Sequence, residues 1–153
     1  MAGTTNEPEV LKDLELAGGK KLGTNILVVG GAGFLGSRLI GSLLLNEERL
    51  VTCMDIVSPS SAFRVEQFKA NKHFNYVWQR ALDFTVVDLK DGDYDTIVYL
   101  AAQADVPLAL SSPRYTYQTN TMPVLNMLAG VRKSTDTRFI YMSSENVYGR
   151  VPE

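Results

Sequence analysis

Apolar and polar positions along this chain follow two different periods, and the switches between them predict its elements. Short apolar runs bounded by Gly, Pro, Asn or Asp read as strands; stretches with apolar residues three and four apart read as helices. Five strands are expected: residues 25–29, 50–55, 74–81, 96–100 and 138–142. A first helix is expected over residues 33–46, with Leu35, Leu39 and Leu43 forming one buried stripe and Ile40 pairing with Leu44. The loop Ser58-Pro59-Ser60-Ser61 offers an N-cap for a short helix over 63–70. Asp91-Gly92-Asp93 reads as a turn. A long helix is expected from Pro113 to about residue 133, with Tyr117, Val124, Leu125, Leu128 and Val131 on its apolar face.

Strands alternating with helices imply a parallel sheet with right-handed crossovers. The expected fold class is α/β, a Rossmann-type doubly wound sheet with strand order 3-2-1-4-5 that stops after strand five. Ligand sites in such a sheet lie at the carboxyl ends of the strands. Residues 1–23 are dominated by polar residues and Gly, with one short amphipathic stretch around Val10, Leu11 and Leu14. They read as a flexible N-terminal extension, leaving 24–153 as the domain.

Bulk properties remove several function classes. Hydrophobic residues make up 45% and charged residues 21%, ordinary for a globular domain. The net charge of −2, with no basic run longer than Lys20-Lys21, gives nucleic-acid binding no electrostatic support. No apolar stretch approaches the ~20 residues of a membrane span. The N-terminus is polar and acidic, unlike a signal peptide. The lone cysteine, Cys53, sits inside a strand pattern and is expected to be a core residue, and a cytoplasmic setting follows. No metal set is read.

The segment Gly30-Gly31-Ala32-Gly33-Phe34-Leu35-Gly36 carries the chemistry. It follows a strand and opens a helix, the arrangement of a phosphate-binding turn. Glycines leave no Cβ in the way of a pyrophosphate, and the first N–H groups of the helix are free to meet an anion. Strand two ends in Asp55, nineteen positions after Gly36, near the ~20 expected for the acid that binds the adenosine ribose. An Asp there favours NAD, because it repels the 2′-phosphate of NADP. Arg64 is the nearby cation that argues otherwise, and it reads as a residue on a solvated helix face.

Further motifs follow the later strands: Asp83-Phe84, Leu100-Ala101-Ala102-Gln103, and Ser143-Ser144-Glu145-Asn146-Val147-Tyr148-Gly149. With the glycine turn and Asn120, this set resembles the extended short-chain dehydrogenases, the NAD-dependent nucleotide-sugar epimerases and dehydratases. The resemblance covers residues 24–149. It implies that Gly30, Gly33 and Gly36, with the N–H groups near Phe34 and Leu35, surround the pyrophosphate. It implies that Asp55 binds ribose, that Asp83 and Phe84 flank adenine, and that Leu100, Ala101, Ala102 and Gln103 line the nicotinamide ribose. Asn120 would brace the active-site backbone, although Pro123 stands where that family commonly has Gly. Tyr99 stands where it often has His.

Ser144 matches the family's catalytic Ser or Thr, and Glu145 one of two acidic positions in the dehydratases. Asn146 fills the second, and one carboxylate cannot readily supply both members of an acid/base pair, which leans toward an epimerase, a decarboxylase or a plain dehydrogenase. The family's Tyr-x-x-x-Lys pair is absent: no Tyr in this sequence has a Lys four residues on. In the family that pair lies downstream of the VYG element. The resemblance therefore implies the NAD-binding portion of an enzyme acting on a nucleotide-sugar substrate. The alternative is a non-catalytic dinucleotide-binding module. An open edge at strand five points to self-association, a homodimer included.

Overall fold

The computed structural model describes residues 15–16, 20–84, 94–132 and 136–149. Five parallel strands form one sheet: β1 (Asn25–Val29), β2 (Leu50–Asp55), β3 (Phe74–Trp78), β4 (Thr96–Tyr99) and β5 (Arg138–Tyr141). Their order is β3-β2-β1-β4-β5, the expected 3-2-1-4-5. The central strand β1 is aligned so that Val29 lies beside Met54 of β2 and Tyr99 of β4. The strands therefore end together, and a row of loops opens at their carboxyl ends. At the opposite end the Asp95 carboxylate accepts from the Thr24 and Asn25 N–H groups, both at 2.8 Å, and fixes the start of β1.

The sheet is covered on both faces. Ile26, Val28, Val51 and Cys53 pack on Ile40 and Leu43 of helix α1 (Phe34–Leu43) and on Val65. Leu27, Val29, Met54, Ile97 and Tyr99 pack on Phe84 and on Met127 of helix α4 (Met122–Val131). Strands apolar on both faces are what a parallel sheet between two helical layers requires. Glu15–Leu16 and Lys20–Lys21 pair as a small antiparallel ribbon. Residues 1–14 and 17–19 of the expected extension, the turn at Asp91-Gly92-Asp93 and the expected helix end at residue 133 lie outside the described residues.

Several elements differ from expectation. Helix α1 buries Gly36, Ser37, Ile40 and Leu43, whereas Leu35 is 56% exposed. Gly36 is pressed against the glycine turn, and that contact sets the rotation of the helix. The segment after β2 is a 3-10 turn, Phe63–Phe68, with no side-chain cap; Ser58 Oγ bonds Ser60 Oγ and Ser61 Oγ instead. Strand β3 ends at Trp78 rather than residue 81, because its neighbour β2 ends at Asp55 and offers no further ladder.

The long helix expected from Pro113 is two helices, α3 (Pro113–Asn120) and α4, separated at Thr121. Pro123 cannot donate to the carbonyl four residues back, so it occupies the first turn of a new helix, where no donor is needed. The break also shifts the apolar face: Pro123, Met127 and Gly130 are buried, while Tyr117, Leu125 and Leu128 are exposed. A further short helix, α2 (Val106–Ser111), was not anticipated. Its sequence signals are a capping Asp105, whose Oδ1 accepts from Leu108 N–H at 2.7 Å, and Pro107 in its first turn.

Candidate functional site

A cavity of about 520 Å³ opens at the carboxyl ends of β1, β2 and β4. Its floor is the glycine turn. Gly30 N–H donates to the Met54 carbonyl at 2.8 Å, which ties the turn to β2. Gly30 has φ of +80°, and a Cβ there would sit 2.7 Å from Ala101 N, so side chain and backbone conformation both exclude other residues. A Cβ on Gly36 would lie 2.5 Å from Gly30 O and 2.6 Å from Gly31 Cα. This approach of helix to turn aims α1 at the cavity. The N-cap residue Gly33 supplies no side-chain cap, and the first turn of α1 holds no acidic residue. The first-turn N–H groups are therefore left to an anion, where the helix dipole favours one.

Asp55 leaves β2 at the cavity wall. Its Oδ2 accepts from Ala32 N–H at 2.9 Å and its Oδ1 from Val57 N–H at 3.1 Å. One carboxylate thus joins the glycine turn to the loop after β2. That loop is held from β3 as well: the Tyr76 hydroxyl donates to Val57 O at 2.7 Å and Trp78 Nε1 donates to Ile56 O at 3.0 Å. Burial, then the nearby Asp55 charge, pushes the Tyr76 phenol well above its ordinary range, so it stays a donor.

The opposite wall comes from the segment after β4. Leu100, Ala101 and Ala102 line the cavity. Gln103 and Asn120 do not line it; they form the brace behind it. Gln103 N–H donates to Asn120 Oδ1 at 2.7 Å, and Asn120 Nδ2 donates to Gln103 O at 2.9 Å. A single amide thereby satisfies both backbone groups of one loop residue and ties the loop to the end of α3. Tyr99 also lines the cavity; its hydroxyl is buried and has no partner among the described residues. Burial, then Tyr141, pushes this phenol up to about 12.

Other residues singled out from the sequence stand apart from the cavity wall. Phe34 and Leu35 point their side chains to solvent, so only their backbone belongs to the turn. Phe84 is 5% exposed and packs in the core against the sheet. Asp83 is held by Arg80, whose Nε and Nη2 each donate to a carboxylate oxygen at 2.7 Å. That pairing holds the Asp83 carboxyl below the usual range. Ser144 and Glu145 follow β5 at the same end of the sheet, both exposed. Ser144 Oγ accepts from Asn146 N–H at 3.2 Å and so caps the 3-10 turn Glu145–Tyr148.

Arg64 is exposed on the 3-10 turn Phe63–Phe68, in keeping with the expected solvated face, and it also borders the cavity. It lines the cavity with Asp55, Ile56 and Val57. Its guanidinium stacks 4.5 Å from the centroid of the Phe63 ring. Gln79, Arg80, Ala81 and Leu82 complete that side, and Tyr115, Gln118 and Thr119 come from α3. None of these carried a local sequence signal. Gln79 to Leu82 reach the cavity from the segment after β3, and Tyr115, Gln118 and Thr119 from α3, which follows β4.

Residues 26–153 match the sequence model of a family described as the NAD dependent epimerase/dehydratase family. UDP-glucuronic acid decarboxylase 1 of Danio rerio is 33% identical over 124 residues, which is 81% of this chain and 28% of that protein. The UDP-Glc/GlcNAc 4-epimerase of Campylobacter jejuni superposes with a TM-score of 0.73 at 27% identity, covering 83% of this chain and 39% of the epimerase chain. A UDP-glucuronic acid 4-epimerase of Bacillus cereus, solved with UDP-glucuronic acid and NAD, superposes with a TM-score of 0.72 at 26% identity, covering 84% of this chain and 43% of that one. This chain spans less than half the length of each of these proteins.

Proposed function

This chain belongs to the NAD dependent epimerase/dehydratase family, and on that premise we propose that it is the cofactor-holding portion of a nucleotide-sugar epimerase, dehydratase or decarboxylase. The observation that carries the proposal is the cradle itself: a cavity over an uncapped helix N-terminus, floored by Gly30 and Gly33 and walled by Asp55. Those features fit a dinucleotide. The bare turn and first-turn N–H groups suit a pyrophosphate. Each Asp55 oxygen accepts one backbone hydrogen bond and keeps a lone pair for a ribose hydroxyl. The bound cofactor would supply a reversible hydride acceptor for a sugar hydroxyl.

The remaining roles belong to this chain's own residues. The Asn120 brace on Gln103 would hold Ala101 and Ala102 at the nicotinamide ribose. Ser144 would bond the sugar oxygen that loses its proton, and Glu145 would serve as an acid or base beside it. Asp83 and Phe84 are proposed at the adenine end, acting there through the placement of the 3-10 turn Ala81–Asp83, which Phe84 closes. Because no Tyr is followed four residues on by Lys, residues 1–153 are proposed to bind cofactor without turnover. A cytoplasmic setting is part of the same reading, supported by the buried free thiol of Cys53. Self-association along β5 is supported by exposed Tyr141 and Met142 at that edge.

Calorimetric titration with NAD tests the proposal. Saturable binding is expected, weakened about tenfold or more by Asp55→Ala, as befits charge-assisted bonds of roughly 1.5–3 kcal/mol. Failure of the unsubstituted chain to bind NAD, while folded by circular dichroism, would overturn the reading.

A further inference from the structure

Tyr76 and Trp78 stand two positions apart on β3, so their side chains leave the same face of that strand. Trp78 lies beside Asp55 in the ladder, and its Nε1 donates to the Ile56 carbonyl at 3.0 Å. The N–H of that same Ile56–Val57 peptide group donates to Asp55 Oδ1 at 3.1 Å. One peptide plane is thus held at its oxygen by an indole and turns its N–H to the acid, and bonds in such a chain polarise one another. The Tyr76 hydroxyl donates to the next carbonyl, Val57 O, at 2.7 Å. We propose that Tyr76 and Trp78 are positioning residues for the adenosine ribose of the cofactor, acting through the Ile56–Val57 peptide on the Asp55 carboxylate; the inference rests on the cofactor-holding role proposed above.

A ribose presents two neighbouring hydroxyls, so a carboxylate meets both only when its plane is fixed. The terminal torsion of an Asp is soft. Ala32 N–H anchors Oδ2, but one donor leaves the plane free to turn. Val57 N–H supplies the second anchor, and its direction depends on the Ile56–Val57 peptide staying in place. Packing does not hold that peptide at its first residue, because the Ile56 side chain is 64% exposed. The indole and phenol donors do. A carboxylate fixed by the fold loses little freedom on meeting a ligand, which raises affinity for the groups it faces. The two side chains are not needed to join the strands, since the β2–β3 ladder from Val51 and Phe74 to Asp55 and Trp78 already does so.

The test is calorimetric titration of the 153-residue chain with NAD and with the NAD analogue whose adenosine ribose is 2′,3′-dideoxy. It is repeated for Tyr76→Phe, Trp78→Phe, both together, and Asp55→Ala with and without Tyr76→Phe, each shown to be folded by circular dichroism. The readout is the ratio of the two affinities within each protein, which a general loss of stability does not move. The unsubstituted chain should prefer NAD about tenfold or more. Tyr76→Phe should cut that preference about threefold or more, the worth of one neutral hydrogen bond. Trp78→Phe should cut it about twofold, because its donor is exposed and water can replace it. With Asp55→Ala in place, Tyr76→Phe should change the ratio no further. A folded double variant with the full ribose preference would overturn the inference alone. So would a double variant that loses affinity for both dinucleotides equally, or NAD binding by the unsubstituted chain with no ribose preference. Failure of the unsubstituted chain to bind NAD would overturn the proposed function and this inference together.

Discussion

Replacing Asn120 is the sharpest probe of how the cavity wall is held. Its amide makes two bonds to one residue: it accepts from Gln103 N–H at 2.7 Å and donates to Gln103 O at 2.9 Å. Asn120→Ala removes both. Each such bond contributes about 1 kcal/mol net, and each partly buried backbone group left unpaired costs about 1 kcal/mol at the low end. Alanine returns about 0.5 kcal/mol through its better helix propensity at the end of α3. The expected loss is about 3.5 kcal/mol, or roughly 7–14 °C in Tm for a chain of this size.

Asn120→Asp keeps the acceptor and turns the donor into a second acceptor facing a carbonyl oxygen. At neutral pH one bond is lost and a repulsion is added, a cost of about 2 kcal/mol. Protonation restores the donor. The folded state therefore favours the neutral acid, which raises the folded pKa above the unfolded carboxylate value. The sign follows: the deficit is full above the folded pKa, shrinks as pH falls through it, and is nearly gone at the unfolded pKa. Urea melts of the native chain and Asn120→Asp at about pH 7 and about pH 4 should show the gap closing in acid. Two results would refute the brace: an Asn120→Ala chain as stable as the native one, or an Asp variant whose deficit is the same at both pH values.

Three further outcomes follow from the same geometry. Gly36→Ala places a methyl 2.5 Å from Gly30 O, so it should destabilise by about 1–3 kcal/mol in urea melts despite alanine's helix preference; unchanged stability would deny the close approach of α1 to the turn. Burial, then Asp55, pushes the Cys53 thiol up to about 12, so folded protein should resist alkylation, and stability should fall as pH rises from the ordinary thiol range of about 8.5 toward 12 because only the unfolded chain sheds the proton. Cys53→Ala should flatten that alkaline slope; an equal slope would show that the thiol is not its source. Tyr99→Phe removes a buried hydroxyl that has no partner, so stability should hold or rise by about 1 kcal/mol; a loss above about 1 kcal/mol would reveal a bonded group on that oxygen.

What the sequence made legible, and what it hid, divides along a physical line. Strand order was readable because each apolar run is short, bounded by breakers and joined by helical stretches, and those local features leave few topologies. The glycine turn and Asp55 were readable because covalent spacing alone places an acid after strand two near a turn after strand one. Helix phase was not. Leu35, Leu39 and Leu43 make a good stripe by periodicity, but Gly36 must face Gly30 and Gly31, and that one contact turns Leu35 outward. Pro123 had a visible effect on backbone bonding, yet whether it kinks a helix or starts a new one depends on Asn120 being anchored to Gln103 just before it. Arg64 was legible as a nearby cation, but its place on the cavity lining was not. Arg64 follows an exposed serine loop and looks solvated by composition. It reaches the cavity because Tyr76 and Trp78, more than ten positions later, hold the Ile56–Val57 segment by its carbonyls. A residue's type and spacing can mark it for phosphate or ribose. Whether it meets that group is decided by which distant side chain pins its loop, and here Tyr76 and Trp78 of β3 hold the loop that follows Asp55.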